Sequence, residues 1–240
     1  MTDLHFRELI GMSDLTRAEA LQRAVWGEGD QPDPADLMLA VQSEGGLVGG
    51  AFVGGALVGY VFGFPTRDAH IQHSHRLAVL PQARGLGLGL RLKRYQRDWC
   101  LARGITRVRW TFDPLRSVNA TLNIHRLGAE AGTYLPDLYG EMAGINRGLG
   151  SDRLMADWDL TAPHVAALAR DETPDRGALT ALDLTALELT LPENLEALAA
   201  SDPAAAIRLR LDMRAALQSA FAAGLRIRDY DRSTRNYALG

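Results

Sequence analysis

Cysteine occurs once in the 240 residues, at Cys100, so neither an intrachain disulfide nor a cysteine-based metal cluster can form. Lysine also occurs once, at Lys93, and arginine carries the rest of the positive charge. The formal net charge is -3 and the pI about 6.1. A chain that grips a phosphate backbone carries a basic excess or a basic stripe. Neither is present, which argues against a nucleic acid partner. No uninterrupted apolar stretch approaches the ~18 residues that span a bilayer. The opening Met1-Thr2-Asp3-Leu4-His5-Phe6 has no basic region followed by an apolar one, so no signal peptide is expected. Internal repeats and low-complexity tracts are lacking too. The expectation is a cytoplasmic protein with no membrane part. Hydrophobic residues at 47% and charged residues at 23% suit a globular chain whose core needs no staples. Its length fits one large domain, or one ordinary domain plus an addition.

Glycine and proline divide the chain into elements. His5–Ile10 reads as a strand. Ser13 or Asp14 is placed to cap a helix through about Trp26, with Leu15, Ala18, Leu21 and Val25 on its apolar face. A loop holding Pro32 and Pro34 leads to a short helix over Pro34–Ser43. Leu47–Val53 and Ala56–Phe64 flank Gly54-Gly55, the pattern of a tight hairpin. Ile71–Leu80 is the third strand of the meander, and the sheet is expected to splay near Val79. A helix over Arg84–Arg103 follows, with Leu86, Leu90, Tyr95, Trp99 and Ala102 as packing positions. Arg91, Lys93, Arg94, Arg97 and Asp98 form its wet side, and Gly104 stops it. Cys100 reads as a buried packing thiol.

Further on, Ile105–Phe112 alternates as a strand, with Asp113-Pro114 a turn after it. Asn119–Leu127 is a helix closed by Gly128. Glu130–Tyr134 and Arg153–Leu160 are strands on either side of a glycine-rich loop, Pro136–Gly150. Trp26 and Trp110 are expected in the core. Beyond Thr161 the composition shifts toward Ala, Leu and acidic residues. A connector with a short helix over Ala162–Arg176, a strand over Leu182–Leu191, a helix capped by Asp202 with Pro203 at its first position, and a closing hairpin of Leu225–Tyr230 with Asn236–Leu239 are expected.

The segment with chemistry in it is His75-Arg76-Leu77-Ala78-Val79-Leu80-Pro81-Gln82-Ala83-Arg84-Gly85-Leu86-Gly87-Leu88-Gly89: a strand, a glycine turn and a helix start. The first N–H groups of a helix lack internal partners, and its dipole adds partial positive charge there. Such an end receives a diphosphate. Glycines 85, 87 and 89 let it approach without meeting a Cβ, and Arg84 adds a charge-assisted contact. A dinucleotide fingerprint requires glycine where Leu90 stands, and a phosphate loop of the Gly-Lys-Ser/Thr kind is lacking.

Gln82-Ala83-Arg84-Gly85-Leu86-Gly87 matches the Gln/Arg-x-x-Gly-x-Gly/Ala coenzyme A loop of the GNAT N-acyltransferase superfamily, and Leu77-Ala78-Val79-Leu80-Pro81 resembles the strand that enters it. Ser117-Val118-Asn119-Ala120 with Arg126-Leu127-Gly128-Ala129 resembles the family's second cofactor-proximal helix. Trp110-Thr111-Phe112-Asp113-Pro114-Leu115 and Tyr139-Gly140-Glu141-Met142 resemble a bacterial branch with a C-terminal extension. The resemblance implies an α/β fold with a mixed, mostly antiparallel central sheet flanked by helices. Residues 1–160 would form the acyl-CoA domain, and residues 161–240 a small α+β extension, an appendage or lid that would pack on it and could mediate a homodimer. It implies that the backbone of Leu77, Ala78 and Val79 holds the pantetheine arm. It implies further that Gln82, Arg84, Gly85, Leu86, Gly87, Leu88 and Gly89 hold the diphosphate, and that Asn119 contacts the cofactor. Asn119 also suits a plain helix cap.

The co-substrate so implied is acetyl-CoA or another short acyl-CoA, with no metal, and the acceptor is a small amine or amino acid. The family's carboxylate base is missing from His70-Ile71-Gln72-His73-Ser74-His75-Arg76. His75 or His73, on one strand face with Leu77 and Val79, can relay a proton instead. A histidine satisfied within the sheet is the competing reading. The position of the family's tyrosine acid holds Ile124, so Tyr139 becomes the candidate, with Tyr134 also downstream. Glu141, Asn146, Arg147, Asp152 and Arg153 form a polar cluster that either lines the acceptor site or is a wet surface with an Asp152–Arg153 pair. These two departures keep a non-catalytic acyl-CoA-binding or sensing module as the alternative function.

Overall fold

A computed structural model describes residues 3–27, 29–140, 150–177, 180–181 and 190–240. The chain forms two compact units, residues 1–109 and 110–240. The expected strand over 182–191 falls mostly outside the described residues, as do Glu141, Asn146 and Arg147. No helix among the described residues is long and apolar enough to cross a membrane.

The first unit is an antiparallel meander with helices on both faces. Strand β1 (Leu4–Glu8) pairs with β2 (Leu47–Val53), β2 with β3 (Ala56–Pro65), and β3 with β4 (Ile71–Val79). Gly54 and Gly55, at φ 55° and 79°, make the hairpin turn their sequence predicts. Helices α1 (Gly11–Trp26) and α2 (Ala35–Ser43) cover one face. There Leu15, Ala18, Leu21, Ala35 and Met38 pack with Phe52, Tyr60, Phe62 and Ala78. Neither Ser13 nor Asp14 caps α1: the helix begins before both, and Asp14 reaches back from within the first turn to accept the Ile10 N–H at 3.1 Å.

Helix α3 (Leu88–Leu101) lies on the other face, starting four residues later than its pattern suggests because the glycine turn precedes it. It sits close to the strands. A Cβ on Gly49 would lie 2.7 Å from the Tyr95 ring, and one on Gly63 would lie 2.6 Å from Gln72 Oε1. Gly49 is therefore required by the approach of α3, and Gly63 by the Gln72 side chain of β4 with Gln96 of α3 behind it, rather than by strand propensity. The helix also buries a different side from the one expected. Leu88, Leu92, Lys93, Gln96, Trp99 and Cys100 face inward, while Leu86, in the turn before it, is half exposed.

Strand β5 (Arg107–Phe112) runs parallel to β4, but their ladder covers only Ile71–His73 with Arg107–Arg109. Pairing thus ends at His73, six residues before the expected splay at Val79.

In the second unit the strand order is β5, β7 (Arg153–Asp159), β6 (Glu130–Leu135), β9 (Ile227–Asp231), β10 (Asn236–Leu239), β8 (Thr180–Ala181). Helix α4 (Ser117–Ala120) continues as a wider π turn over Thr121–Arg126, which Gly128 ends at φ 73°. Helices α5 (Pro163–Ala169), α6 (Leu195–Ser201) and α7 (Pro203–Ala222) complete the unit. Asp202 caps α7 as expected, its carboxylate accepting the Ala205 N–H at 2.8 Å. The closing hairpin forms, and β9 pairs with β6, so the C-terminal segment extends this unit's sheet. Trp110 is buried edge-on against Trp158, whereas Trp26 is not a core residue: it is 37% exposed beneath the Arg76 guanidinium.

Candidate active site

From Ser74 to Val79 the β5 side of β4 has no strand partner among the described residues. Its peptide groups there can pair with an extended ligand arm. Leu77, Ala78 and Val79 lie on this stretch. Pro81 then begins a single 3-10 turn through Ala83. Gly85 and Gly87 follow at φ 88° and 66°, left-handed values that suit glycine, and a Cβ on either would meet open space. Gly87 is also the N-cap of α3, with no side chain capping it. Among the described residues none accepts a hydrogen bond from the N–H groups between Gly85 and Leu90. The first turn of α3 carries no acid, and Arg84 and Arg91 are exposed beside it. Gln82 and Leu86 are exposed, Gly89 is half-buried, and only Leu88 turns its side chain into the core. Bare donors, a helix dipole and flanking guanidinium groups fit a diphosphate.

The histidines do not share a face with Leu77 and Val79. Phe62 pairs with Arg76 and Gly63 with Ser74, which leaves His75 as an extra residue, a β-bulge. The bulge inverts the alternation of β4. Leu77 and Val79 fall on the α3 face with Gln72 and Ser74. His73, His75 and Ala78 fall on the α1–α2 face with Phe62 and Phe64. His73 stacks on Phe64 at 4.8 Å, and His75 meets Phe62 edge-on at 5.7 Å. Burial, reinforced by His75 and by Arg109 and Lys93, pushes the His73 imidazole down to about 4, so it is neutral at pH 7.

Asp33 joins this group from the proline-flanked loop, and nothing in the sequence singled it out. Its Oδ1 lies 3.3 Å from His75 Nε2, and its Oδ2 lies 3.2 Å from Arg76 Nε. The buried Gln22 fixes it from α1: Gln22 Oε1 accepts the Asp33 N–H at 2.8 Å, and Gln22 Nε2 donates to the Asp33 carbonyl. Arg76 is held in turn by Asp30 and by the Gln31 carbonyl at 2.9 Å. An ionised carboxylate only accepts, so neutral His75 donates through Nε2 and keeps a lone pair on Nδ1. A cavity of about 550 Å³ opens beside this pair between α2 and β3, lined by Asp33, Leu37, Ala40, Val41, Glu44, Phe62, Phe64, Pro65 and His75.

On the α3 face Lys93 is buried rather than wet. It donates to Gln96 Oε1 at 2.7 Å and to Ser74 Oγ at 3.0 Å. Burial pushes its ammonium down to about 7 and the neighbouring Cys100 thiol up to about 12, so the thiol is protonated at neutral pH.

In the second unit Asn119 is the third residue of α4, so it does not cap that helix, and it is half-buried. Ile124 is fully buried. Tyr139 is 56% exposed, with its hydroxyl 2.9 Å from Thr111 Oγ1 and the Arg153 guanidinium over its ring. Tyr134 is buried and donates to Asp152 at 2.7 Å. Asp152 is not a wet partner of Arg153: it is buried and pairs with Arg214 at 2.6 Å. Asp113 makes the expected turn, accepting the Leu115 N–H, and also pairs with the buried Arg210 at 2.9 Å. Among the described residues no group of three His, Cys, Asp or Glu is placed to hold a metal.

A meander whose last strand leaves an open edge and passes through a left-handed glycine turn to a bare helix end defines the GNAT acyltransferase fold. Residues 13–128 match the acetyltransferase (GNAT) family model, and this part of the chain belongs to that family. No curated protein matches the chain in sequence. Solved structures match in fold. The ribosomal-protein-S18-alanine N-acetyltransferase of Escherichia coli is 15% identical with a TM-score of 0.55, over 66% of this chain and 95% of its own. Salmonella typhimurium yncA, solved with its cofactor acetyl-CoA, is 18% identical with a TM-score of 0.54, over 67% of this chain and 95% of its own. An N-acetyltransferase from Staphylococcus aureus Mu50 is 14% identical with a TM-score of 0.54, over 66% and 99%.

Proposed function

We propose that the protein transfers a short acyl group, acetyl in the first instance, from acyl-CoA to a small-molecule amine by direct attack within a ternary complex. The observation that carries this reading is the bare corner at Gly85–Leu90 next to the open edge of β4. When bound, the thioester supplies an acyl carbon already activated toward an amine. The chain has to align the two reactants, and alignment alone supplies much of the acceleration. On this reading the main chain of Leu77–Val79 orients the pantetheine arm, the turn from Gln82 to Gly89 anchors the diphosphate, and Asn119 adds a cofactor contact.

Amines are protonated at neutral pH, so attack requires a proton acceptor. We assign that role to His75 Nδ1, with Asp33 holding the ring and stabilising the imidazolium. Tyr139, exposed and bonded to Thr111, is assigned as proton donor to the departing thiolate. We take residues 1–160 as the part that carries transfer and residues 161–240 as its extension.

Thermal shift with acetyl-CoA and free CoA, followed by thiol release with an amine panel, tests the reading. Ligand bound to the native state raises the melting temperature. A rise without thiol release favours the sensing module. No rise with either ligand removes both.

A further inference from the structure

The cavity between α2 and β3 has a lopsided lining. Leu37, Ala40, Val41, Phe62, Phe64 and Pro65 are apolar. Its charged lining residues are two carboxylates, Asp33 at the His75 end and Glu44 on the exposed rim, and among the described residues no arginine or lysine lines it. Arg76 is turned to Asp30, Asp33 and the Gln31 carbonyl. Asp33 Oδ2 is buried 3.2 Å from Arg76 Nε, so Oδ1, 3.3 Å from His75 Nε2, is the oxygen at the His75 end. Phe62 and Phe64 are among its walls, with the His75 ring 5.7 and 5.6 Å from theirs. A lining whose charged groups are carboxylates, on otherwise apolar walls, favours a cation on an apolar body. It offers a carboxylate no lining arginine or lysine among the described residues, with Asp33 already paired to Arg76 and Glu44 a like charge at the rim.

We infer that the acceptor is an apolar primary monoamine, an ammonium on a branched aliphatic or aryl body, and not an amino acid or a polyamine. This rests on the acyl-transfer reading above. The ammonium sits at the Asp33–His75 end, where His75 Nδ1 takes its proton. The body lies along α2 against Phe62 and Phe64. A cavity of about 550 Å³ is ample for a body of this kind. A second ammonium lying along the body, short of Glu44 at the rim, would sit against hydrocarbon, which is costly.

The test uses matched pairs differing by one carboxylate: isoamylamine against leucine and 2-phenylethylamine against phenylalanine, with putrescine as the dication. With the full chain and acetyl-CoA, kcat/KM is expected to be at least about tenfold higher for each monoamine than for its partner or for putrescine. Ala40→Trp fills the cavity from an exposed helical position. It should lower the ratio of kcat/KM for 2-phenylethylamine to that for ethylamine by about tenfold or more. Leu37→Asn, also on the exposed side of α2, should lower the same ratio. Binding is read separately, as the rise in melting temperature that 2-phenylethylamine gives without acetyl-CoA, reduced in both variants. Preference for the amino acids or putrescine, or ratios unmoved in both variants, overturns the inference and leaves acyl transfer standing. If no amine releases thiol, the transfer reading falls. The melting curves then decide alone, and absence of a 2-phenylethylamine shift overturns the inference.

Discussion

Lys93 offers a stability prediction whose sign is unusual. It is the chain's one lysine, buried on α3 between Ser74 and Gln96. Its ammonium is held down to about 7 from an ordinary 10.5, with burial the leading cause. Between these values the unfolded chain binds the proton and the folded chain does not, so unfolding free energy rises with pH from about 7 to 10.5. Below 7 both states are charged, and the full penalty is present. The displacement corresponds to roughly 5 kcal/mol as an upper figure. Lys93→Met removes it while keeping the volume. Gln96 Oε1 loses one donor but keeps Ser74 Oγ at 3.2 Å, a loss of about 1 kcal/mol. The variant should therefore be more stable than the parent at pH 6, by up to about 4 kcal/mol, and should lose this advantage by pH 10. Urea unfolding at pH 6, 8 and 10, followed by tryptophan fluorescence, measures both. Parallel pH profiles for the two proteins, or a variant less stable at pH 6, would refute the reasoning.

Three further outcomes are expected. Gly87→Glu places a carboxylate at the bare helix end and should weaken CoA binding by at least about tenfold, read as loss of the CoA-induced melting shift with the circular dichroism unchanged. Asp33→Asn keeps the size of the group that holds His75 but removes its charge. It should cut kcat by about 10- to 100-fold, with the KM for acetyl-CoA changing far less, and an unchanged kcat would remove Asp33 from the proton path. His73 is held neutral down to about 4 against an ordinary 6.5. Stability is therefore lost as pH falls from 6.5 toward 4, and His73→Phe, which keeps the stack on Phe64, should flatten that limb of the unfolding curve.

Local signals carried most of the architecture. Gly54-Gly55 fixed the hairpin, Asp202-Pro203 the start of the long helix, and the Gln82–Gly89 run the corner where strand becomes helix, because turns and caps depend on a few adjacent residues. Positions set by tertiary packing were not legible in this way. The phase of α3 read from Leu86 and Leu90 put Lys93 in water. The actual phase follows Leu88, Leu92 and Trp99, since Gln72 and Ser74 of β4 supply polar partners that make a buried lysine tolerable. Asp33 sits 42 residues from His75 in a loop marked only by prolines, so no spacing rule connects them. What its neighbourhood did offer was Asp30, Asp33 and Asp36 in a row, which a loop alone does not require.

The bulge at His75 ties these observations together. Strand parity sends alternate residues to opposite faces, and a regular β4 would put His73 and His75 on the α3 side with Leu77 and Val79. One inserted residue reverses that. The histidines then meet Phe62, Phe64 and Asp33, while the residues expected to carry the pantetheine arm keep their own phase farther along the strand. Removing the extra residue would restore a regular ladder with His73, Arg76 and Ala78 still on the α1–α2 face, so what the bulge adds there is the second imidazole, His75, beside Asp33. The bulge is thus what lets His75 line the cavity without changing the phase of the strand beyond it. A sequence reader who counts in twos has no means of seeing it until the pairing with β3 is known.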